Sequence, residues 1–168
     1  MRTTADKLRG TLFNVLAKRL ATSRFLDLCA GSGAVGIEAL SRGAAHVTFV
    51  DRSRKMCALI ESNLDLCNVP ENESEVVLVE AAAFLRRESG GKLKPWDLVF
   101  FDPPYSSDYQ PVLDLFGLRA DELLDDEALL VVEHHHKNVL QDEVGDIVRR
   151  RVLKQGDSSL SFFEKRSR

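Results

Sequence analysis

The sequence predicts an α/β fold with a mostly parallel central sheet, helices on both faces and an antiparallel hairpin at the C-terminal end. Two observations lead to this prediction. Short apolar or β-branched runs alternate with segments of helical periodicity, the pattern of βαβ units with right-handed crossovers. Near the C-terminus, the turn-rich stretch QGDSS separates two strand-like segments, residues 147–154 and 159–165, as in a hairpin.

Five strands and five helices precede the hairpin in the predicted order. Leu12, Val15, Leu16 and Leu20 recur at helical spacing in the first helix, and Gly43 is a stop signal after the second. The strands are expected at residues 24–29, 47–50, 76–79, 97–101 and 128–133, and the helices at 11–20, 36–42, 53–66, 81–87 and 111–118.

Length and composition fit a single domain spanning residues 1–168. Of the 168 residues, 44% are hydrophobic and 29% are charged, which predicts a buried core rather than disorder. Apolar runs fall well short of the roughly 20 residues that span a bilayer, and the N-terminus lacks the apolar core of a secretory signal. We therefore expect a cytoplasmic protein with no membrane partner.

The net charge, the cysteines and the histidines argue against non-specific nucleic-acid binding, disulfide bonds and a metal site. The net charge of −3 argues against non-specific coating of nucleic acid, although the basic run 149–151 leaves room for a local basic rim. The three cysteines, with no C-x-x-C pair, are expected to be reduced packing residues. Adjacent residues on a strand point to opposite faces, so His134, His135 and His136 are expected to form a solvated strand end. No metal is predicted.

Three of the predicted strands end in an aspartate. Asp27, Asp51 and Asp102 each close an apolar or β-branched run. In parallel α/β sheets, ligands bind beyond the carboxyl ends of the strands, and a buried strand needs no acid there. The three acids therefore predict one site at this edge of the sheet.

A glycine-rich turn follows the first of these acids. Gly31-Ser32-Gly33-Ala34-Val35-Gly36 is a literal G-x-G-x-x-G between a strand and a helix, and Asp51 lies 20 residues after Gly31. Such a turn lets a nucleotide approach the backbone, and the later acid binds ribose hydroxyls. The motif alone is also compatible with a plain structural turn.

The acid before the turn discriminates between nucleotide-like ligands. A carboxylate at Asp27 disfavours a pyrophosphate electrostatically and suits a cationic ammonium group. S-adenosylmethionine has that group, a sulfonium centre and a ribose for Asp51. The pattern therefore favours S-adenosylmethionine over NAD, which remains the alternative from a different class, an oxidoreductase.

The stretch Asp102-Pro103-Pro104-Tyr105 fits transfer to an exocyclic amine. The lone pair of such an amine is delocalised into its ring, so hydrogen-bond acceptors are needed to turn it toward a methyl donor. The Asp102 side chain and a rigid backbone carbonyl of the Pro-Pro segment can supply them. Tyr105 offers a face on which an extruded base can stack. A strand stop followed by a turn would need only the prolines.

These residues resemble one family closely. The segments DLCAGSGAVGIEALSRGAAHVTFVD, FDPPY, DEALLVVEH and GDSSLSFFEK, together with the N-terminal RTTADKLRGTLFNVLA, are similar to the bacterial small-subunit ribosomal RNA (guanine-N2) methyltransferases. The resemblance implies a Rossmann-like class I methyltransferase fold, S-adenosylmethionine as cofactor and S-adenosylhomocysteine as product. It also implies ribosomal RNA or the small ribosomal subunit as partner. We expect a monomer that lacks the family's N-terminal β-structured segment.

The resemblance also implies roles for individual residues. Cofactor binding is expected at the turn, at the acid on the ribose, at a polar residue near the adenine, and at neighbours of these: Asp27, Ala30, Gly31, Ser32, Gly33, Asp51, Arg52, Glu80, Ala81 and Asp102. The catalytic loop is expected to consist of Asp102, Pro103, Pro104 and Tyr105. Asp-Pro-Pro-Tyr loops also serve adenine-N6 methylation of DNA or RNA, which is the nearest alternative. A catalytically idle module that keeps the cofactor fold is the third.

Overall fold

The computed structural model describes residues 4–87 and 94–167, which contain an eight-stranded sheet. The strand order is β3-β2-β1-β4-β5-β8-β7-β6, parallel from β3 to β5 and antiparallel from β5 onward. The strands are β1 (Arg24–Leu28), β2 (His46–Asp51), β3 (Ser74–Leu78), β4 (Trp96–Phe101), β5 (Leu124–His135), β6 (Glu143–Val144), β7 (Ile147–Gln155) and β8 (Ser158–Lys165). The predicted parallel sheet with an antiparallel C-terminal hairpin is confirmed.

Six α-helices of the described chain cover the two faces of the sheet. They are α1 (Thr4–Leu16), α2 (Ala34–Ser41), α3 (Arg54–Leu66), α4 (Ala81–Arg86), α5 (Gln110–Leu118) and α6 (Ala120–Leu123). Side chains of α1, α2 and α3 share one buried cluster with the sheet, and those of α4, α5 and α6 share the other. None of the helices among these residues is long and apolar enough to cross a membrane.

The continuous apolar run of β4 is explained by this double cover. Leu98 and Phe100 point into the cluster that contains α1 to α3, whereas Val99 and Phe101 point into the one that contains α4 to α6. Because successive strand residues face opposite sides, a strand between two helical layers must be apolar at every position. The change to Asp102 immediately after Phe101 marks the point where the strand leaves this double cover.

Element boundaries differ most from the predictions in the first helix and in the fifth strand. The first helix begins at Thr4 rather than at residue 11, and β5 extends from Leu124 to His135 rather than over residues 128–133. The acidic run in residues 125–127 gave no strand signal, yet Leu124 pairs with Trp96 across a register shift. Two short elements, α6 and β6, carry too few residues for a periodic signal.

Candidate active site

A cavity of about 880 Å³ opens at the carboxyl ends of the parallel strands. It lies where the strand order reverses, since β1 pairs with β2 on one side and with β4 on the other. Ligands of parallel α/β sheets bind at such switch points. Apart from Gly33, all the predicted site residues line this cavity: Asp27, Ala30, Gly31, Ser32, Asp51, Arg52, Glu80, Ala81, Asp102, Pro103, Pro104 and Tyr105.

The turn after β1 uses left-handed backbone conformations. Cys29, Gly31 and Gly33 have φ angles of 60°, 58° and 81°. A Cβ added at Gly31 would meet no described atom within 4 Å, whereas one at Gly33 would lie 3.3 Å from side-chain carbons of Ile60 and Phe49. Gly31 therefore faces the open cavity, and Gly33 packs against the core beneath the turn.

Asp51 connects this turn to the start of α3 through its two carboxylate oxygens. Its Oδ2 accepts a hydrogen bond from the backbone N–H of Gly31 at 3.0 Å, and its Oδ1 accepts one from Ser53 at 2.9 Å. Each oxygen keeps a further lone pair with which it can accept a hydroxyl group. On the other side of the turn, Asn63 of α3 donates from its side-chain amide to the Ser32 carbonyl at 2.9 Å.

Asp27 lies beneath the turn and is 2% exposed. Its Oδ2 accepts a hydrogen bond from the backbone N–H of Gly36, in the first turn of α2, at 3.1 Å. Burial raises the pKa of Asp27 well above its usual value, and the carboxylates of Asp102 and Asp51 add to this effect, while the Gly36 hydrogen bond opposes it. A pyrophosphate site would direct such helix N–H groups at the ligand, but here a carboxyl takes that place.

The Asp102–Tyr105 loop begins while the chain is still attached to the sheet. The backbone N–H of Asp102 donates to the Leu28 carbonyl at 3.3 Å, next to the glycine turn. Pro103 is buried and Pro104 is exposed. The Pro104 carbonyl accepts a hydrogen bond from the Ser107 backbone N–H at 2.9 Å, which closes a turn. The Pro103 carbonyl is therefore the better candidate for an amine acceptor.

Tyr105 connects the loop to the C-terminal hairpin. Its hydroxyl is hydrogen-bonded to the Ser158 hydroxyl at the start of β8. Its ring makes an edge contact with His135, with ring centroids 5.5 Å apart and an angle of 78° between the planes. The side chain is 45% exposed, so part of the ring remains open at the rim of the cavity.

Glu133 is a wall residue that the sequence analysis did not predict. It lies in the last part of β5, lines the cavity, and is hydrogen-bonded to Asp102 through the two carboxyl groups. Phe101 pairs with Val132, so the next residues on the two strands, Asp102 and Glu133, are side by side. Burial raises the pKa of Asp102 to about 7, and the neighbouring charge and hydrogen bond of Glu133 act in the same direction.

Helix α1 also contributes to the cavity wall, through Ala5, Leu8, Arg9 and Leu12. The Arg9 guanidinium forms ion pairs with Glu38 at 3.3 Å and with Asp6 at 3.2 Å. Because the predicted helix began only at residue 11, this wall was missed. Residues 5–9 carry few apolar side chains from which the periodic pattern could have been recognised.

The expectation of a solvated histidine run after the fifth strand is wrong for His134. This ring is 3% exposed, and its Nε2 lies 2.7 Å from the Ser161 hydroxyl of the neighbouring strand β8. The strand continues to His135 and is paired there with β8, so His134 lies inside the sheet, with the Tyr109 ring 6.4 Å away between ring centroids. His135 and His136 are half-buried, stacked at 4.5 Å between ring centroids, and close to Asp157.

Comparisons with known proteins agree with this geometry. The family described as "Conserved hypothetical protein 95" matches residues 1–164. Ribosomal RNA small subunit methyltransferase D of Escherichia coli is 36% identical over 83% of this chain and 67% of its own length. The chain belongs to this methyltransferase D family. Bacillus subtilis YlbH, provisionally named an rRNA methyltransferase, is 35% identical over 98% of this chain and 88% of its own length.

The solved structure of Escherichia coli YhhF has the same fold. It superposes with a TM-score of 0.83 at 32% identity, covering 97% of this chain and 88% of that one. The Rossmann-like class I methyltransferase fold expected from the sequence is confirmed. Membership of the methyltransferase D family also selects S-adenosylmethionine over the nicotinamide cofactor that the glycine motif alone left open.

The residues present fit that cofactor. The acids Asp27, Asp51 and Asp102 converge on one cavity, and their mutual repulsion is relieved by a cationic ligand and aggravated by an anionic one. The open space beside Gly31 admits a ligand close to the backbone. Both features suit a methyltransferase D cofactor that carries ammonium and sulfonium charges.

Proposed function

We propose that this methyltransferase transfers a methyl group to the exocyclic N2 of a guanine in small-subunit ribosomal RNA. The observation that carries the proposal is the meeting of the Asp102–Tyr105 loop and the glycine turn in one cavity, in a chain of the methyltransferase D family. Bound S-adenosylmethionine supplies an electrophilic methyl group on its sulfonium.

The proposed cofactor-binding roles follow the family resemblance and are supported by the contacts and the lining of the cavity. Asp51 accepts the ribose hydroxyls, because its side chain lines the cavity and both of its oxygens keep spare lone pairs. Asp27 holds the ammonium end through its charge, beneath the turn. Glu80 and Ala81, at the start of α4, line the far wall and take the adenine side.

The loop residues act on the target amine. The Asp102 carboxylate and the Pro103 carbonyl accept the two N2 hydrogens, which turns the nitrogen lone pair out of the base plane. Pro103 is fixed by burial and by its ring, so its carbonyl loses little entropy on binding. The exposed part of the Tyr105 ring supports the flat face of the extruded base.

Guanine is favoured over adenine by the family rather than by the loop. Asp-Pro-Pro-Tyr arranges acceptors around any exocyclic amine, and adenine N6 is a second candidate on that chemistry alone. Relatives such as the Escherichia coli protein are named for the small-subunit RNA, and the similarity to that protein covers 83% of this chain. The guanine-N2 assignment rests on this similarity.

The deciding experiment is transfer of a labelled methyl group to small ribosomal subunits from cells that lack the activity, followed by nucleoside analysis. We expect labelled N2-methylguanosine. N6-methyladenosine in its place would refute the guanine assignment, and no transfer to either subunits or free ribosomal RNA would refute the function.

A single variant separates catalysis from binding in the same assay. Asp102→Ala is expected to reduce turnover by at least about a hundredfold, because it removes one acceptor of the amine. Binding of S-adenosylhomocysteine, measured by calorimetry, should change little, since the turn is held by Asp51 and not by Asp102. Loss of binding would instead assign Asp102 to the cofactor.

A further inference from the structure

The end of β5 places a second carboxyl group beside the catalytic loop. The register of β4 and β5 aligns Phe100 with Val131 and Phe101 with Val132, so Asp102 and Glu133 follow as neighbours. Leu129 and Val131 share a cluster with Phe100, and the alternation of side chains puts Glu133 and Asp102 on that same face. The cavity wall is continuous across the two residues.

We propose that Glu133 is a positioning residue of the transfer, which forms with Asp102 a carboxyl pair that takes up the proton leaving the target amine. This inference rests on the proposed amine methylation and deepens it. As N2 bonds to the methyl carbon, the methyl–sulfur bond breaks with its electron pair left on sulfur. The methylated nitrogen then carries one proton in excess. That proton passes to Asp102, which already accepts a hydrogen bond from the amine, and is shared with Glu133.

Repulsion between the two carboxylates is what makes the pair a good acceptor. Two ionised carboxyl groups within hydrogen-bond distance disfavour each other, and one shared proton removes this repulsion. Burial and the neighbouring Glu133 together raise the pKa of Asp102 to about 7. Burial also raises the pKa of Glu133, whereas its hydrogen bond to Asp102 lowers it. The pair can therefore bind and release a proton near neutral pH, where a general base is most effective.

The other groups that face the pair do not neutralise it. Asp27 of β1 interacts repulsively with Asp102, and the phenol of Tyr109, next to α5, has its pKa raised by burial and by the charges of Asp102 and Glu133. The remaining charged and titratable groups in these interactions are Asp51 at the end of β2, Cys29 in the turn, Tyr105 in the loop, and Arg52, whose cation acts on Cys29. Among these groups the carboxylates of Asp27 and Asp51 carry like charge and favour a protonated pair, whereas Cys29 and Tyr109 are neutral near pH 7 because their pKa values are raised.

The test is a carboxyl-carbon NMR titration of the protein alone, in wild type and in two variants. In wild type, Asp102 should titrate with an apparent pKa near 7, and the carboxyl carbon of Glu133 should shift in the same step. In Glu133→Gln, the amide donates to the Asp102 carboxylate and the like charge is gone, so the pKa of Asp102 should fall by roughly 1–3 units. The matched control Glu127→Gln, at the exposed start of the same strand, should leave it unchanged.

Methyl transfer supplies the second readout. Between pH 6 and pH 8, kcat of wild type should rise about tenfold as the pair ionises, while Glu133→Gln should be nearly flat and lie roughly tenfold below wild type at pH 8. The proposal is overturned if Asp102 titrates identically in Glu133→Gln and Glu127→Gln. It is also overturned if kcat of Glu133→Gln still rises about tenfold between pH 6 and pH 8, as in wild type. If adenine proves to be the methylated base, the guanine assignment fails while the same pH profile tests the pair.

Discussion

At the scale of single residues, Asp102 combines a proposed catalytic role with a cost in folding stability. A carboxyl group whose pKa is raised in the folded state contributes its full stability below its unfolded pKa, near 4, and loses it as the pH rises through the folded pKa, about 7. The folded protein is therefore destabilised by the ionisation of Asp102 in the pH range where the pair can accept a proton. Such a conflict between stability and activity is typical of functional sites.

Asp102→Asn tests this cost directly. The amide has nearly the same shape and cannot ionise, so at pH 8 the variant should be more stable than wild type by roughly 1–4 kcal/mol. At pH 5 the difference should shrink to about a third of its value at pH 8, because Asp102 in the unfolded chain, with a pKa near 4, is already ionised there and the penalty disappears only below that pH. Urea unfolding at the two pH values measures both free energies of unfolding. Equal stabilities at pH 8 would mean that Asp102 ionises without penalty in the folded protein.

Cys29 is a second residue of the site whose chemistry is set by its surroundings. Burial raises the pKa of its thiol to about 12, and the carboxylates of Asp51, Asp102 and Asp27 act in the same direction, against the cation of Arg52. At pH 8 iodoacetamide should alkylate Cys29 roughly a thousandfold more slowly than a free cysteine. The exposed Cys67 is the internal control in peptide mapping. Comparable labelling of the two would contradict the packing role.

At the scale of elements, the approach of α2 to β2 fixes the glycine turn. A Cβ at Gly36 would lie 2.3 Å from the ring of Phe49 and 2.9 Å from Val47. The same residue donates its backbone N–H to Asp27. The third glycine of the motif is thus required by helix–strand packing, and the position of Asp27 in the cavity depends on the helix staying close.

Gly36→Ala is therefore expected to destabilise the protein by about 1–3 kcal/mol, since α2 must move away from β2. Cofactor binding should weaken as well, because the Asp27 hydrogen bond lengthens. Gly10→Ala in α1 is the matched control. No described atom lies within 4 Å of its added Cβ, and alanine should stabilise the helix by roughly 0.5–1 kcal/mol. Thermal unfolding of both variants measures these effects. A change of Tm in the same direction for both variants would contradict the packing argument.

At the scale of the whole molecule, the sequence predicted the layers of the fold but not the neighbours within it. Apolar runs ending in Asp27, Asp51 and Asp102 indicated strands and a shared edge, because that information is local. Glu133 could not be recognised from the sequence, since its place beside Asp102 depends on β5 pairing with β4 in a particular register. His134 was mistaken for a solvated residue because the strand that pairs beside it, and whose Ser161 is hydrogen-bonded to its ring, is formed by residues further along the chain.

The C-terminal hairpin also contributes to the site, because it contacts Tyr105 of the loop. Strands β7 and β8 could be regarded as an extension of the sheet edge, yet Ser158 at the start of β8 is hydrogen-bonded to the Tyr105 hydroxyl. The ring of Tyr105 is held between this bond and the edge contact with His135 at the end of β5. Its orientation is thus set by residues 30 and 53 positions later in the sequence.

A double-mutant cycle on Tyr105 and Ser158 measures this coupling. Tyr105→Phe and Ser158→Ala each remove the same hydrogen bond, so each should cost about 0.5–1.5 kcal/mol of unfolding free energy, and the double variant should cost little more than either single one. Both variants keep the aromatic ring, and kcat should fall only a few-fold. Tyr105→Ala also removes the stacking surface and should reduce kcat/KM by roughly 5- to 150-fold. Additive losses in the cycle would show that the two hydroxyls act independently, and an active Tyr105→Ala would show that the base is supported elsewhere in the cavity.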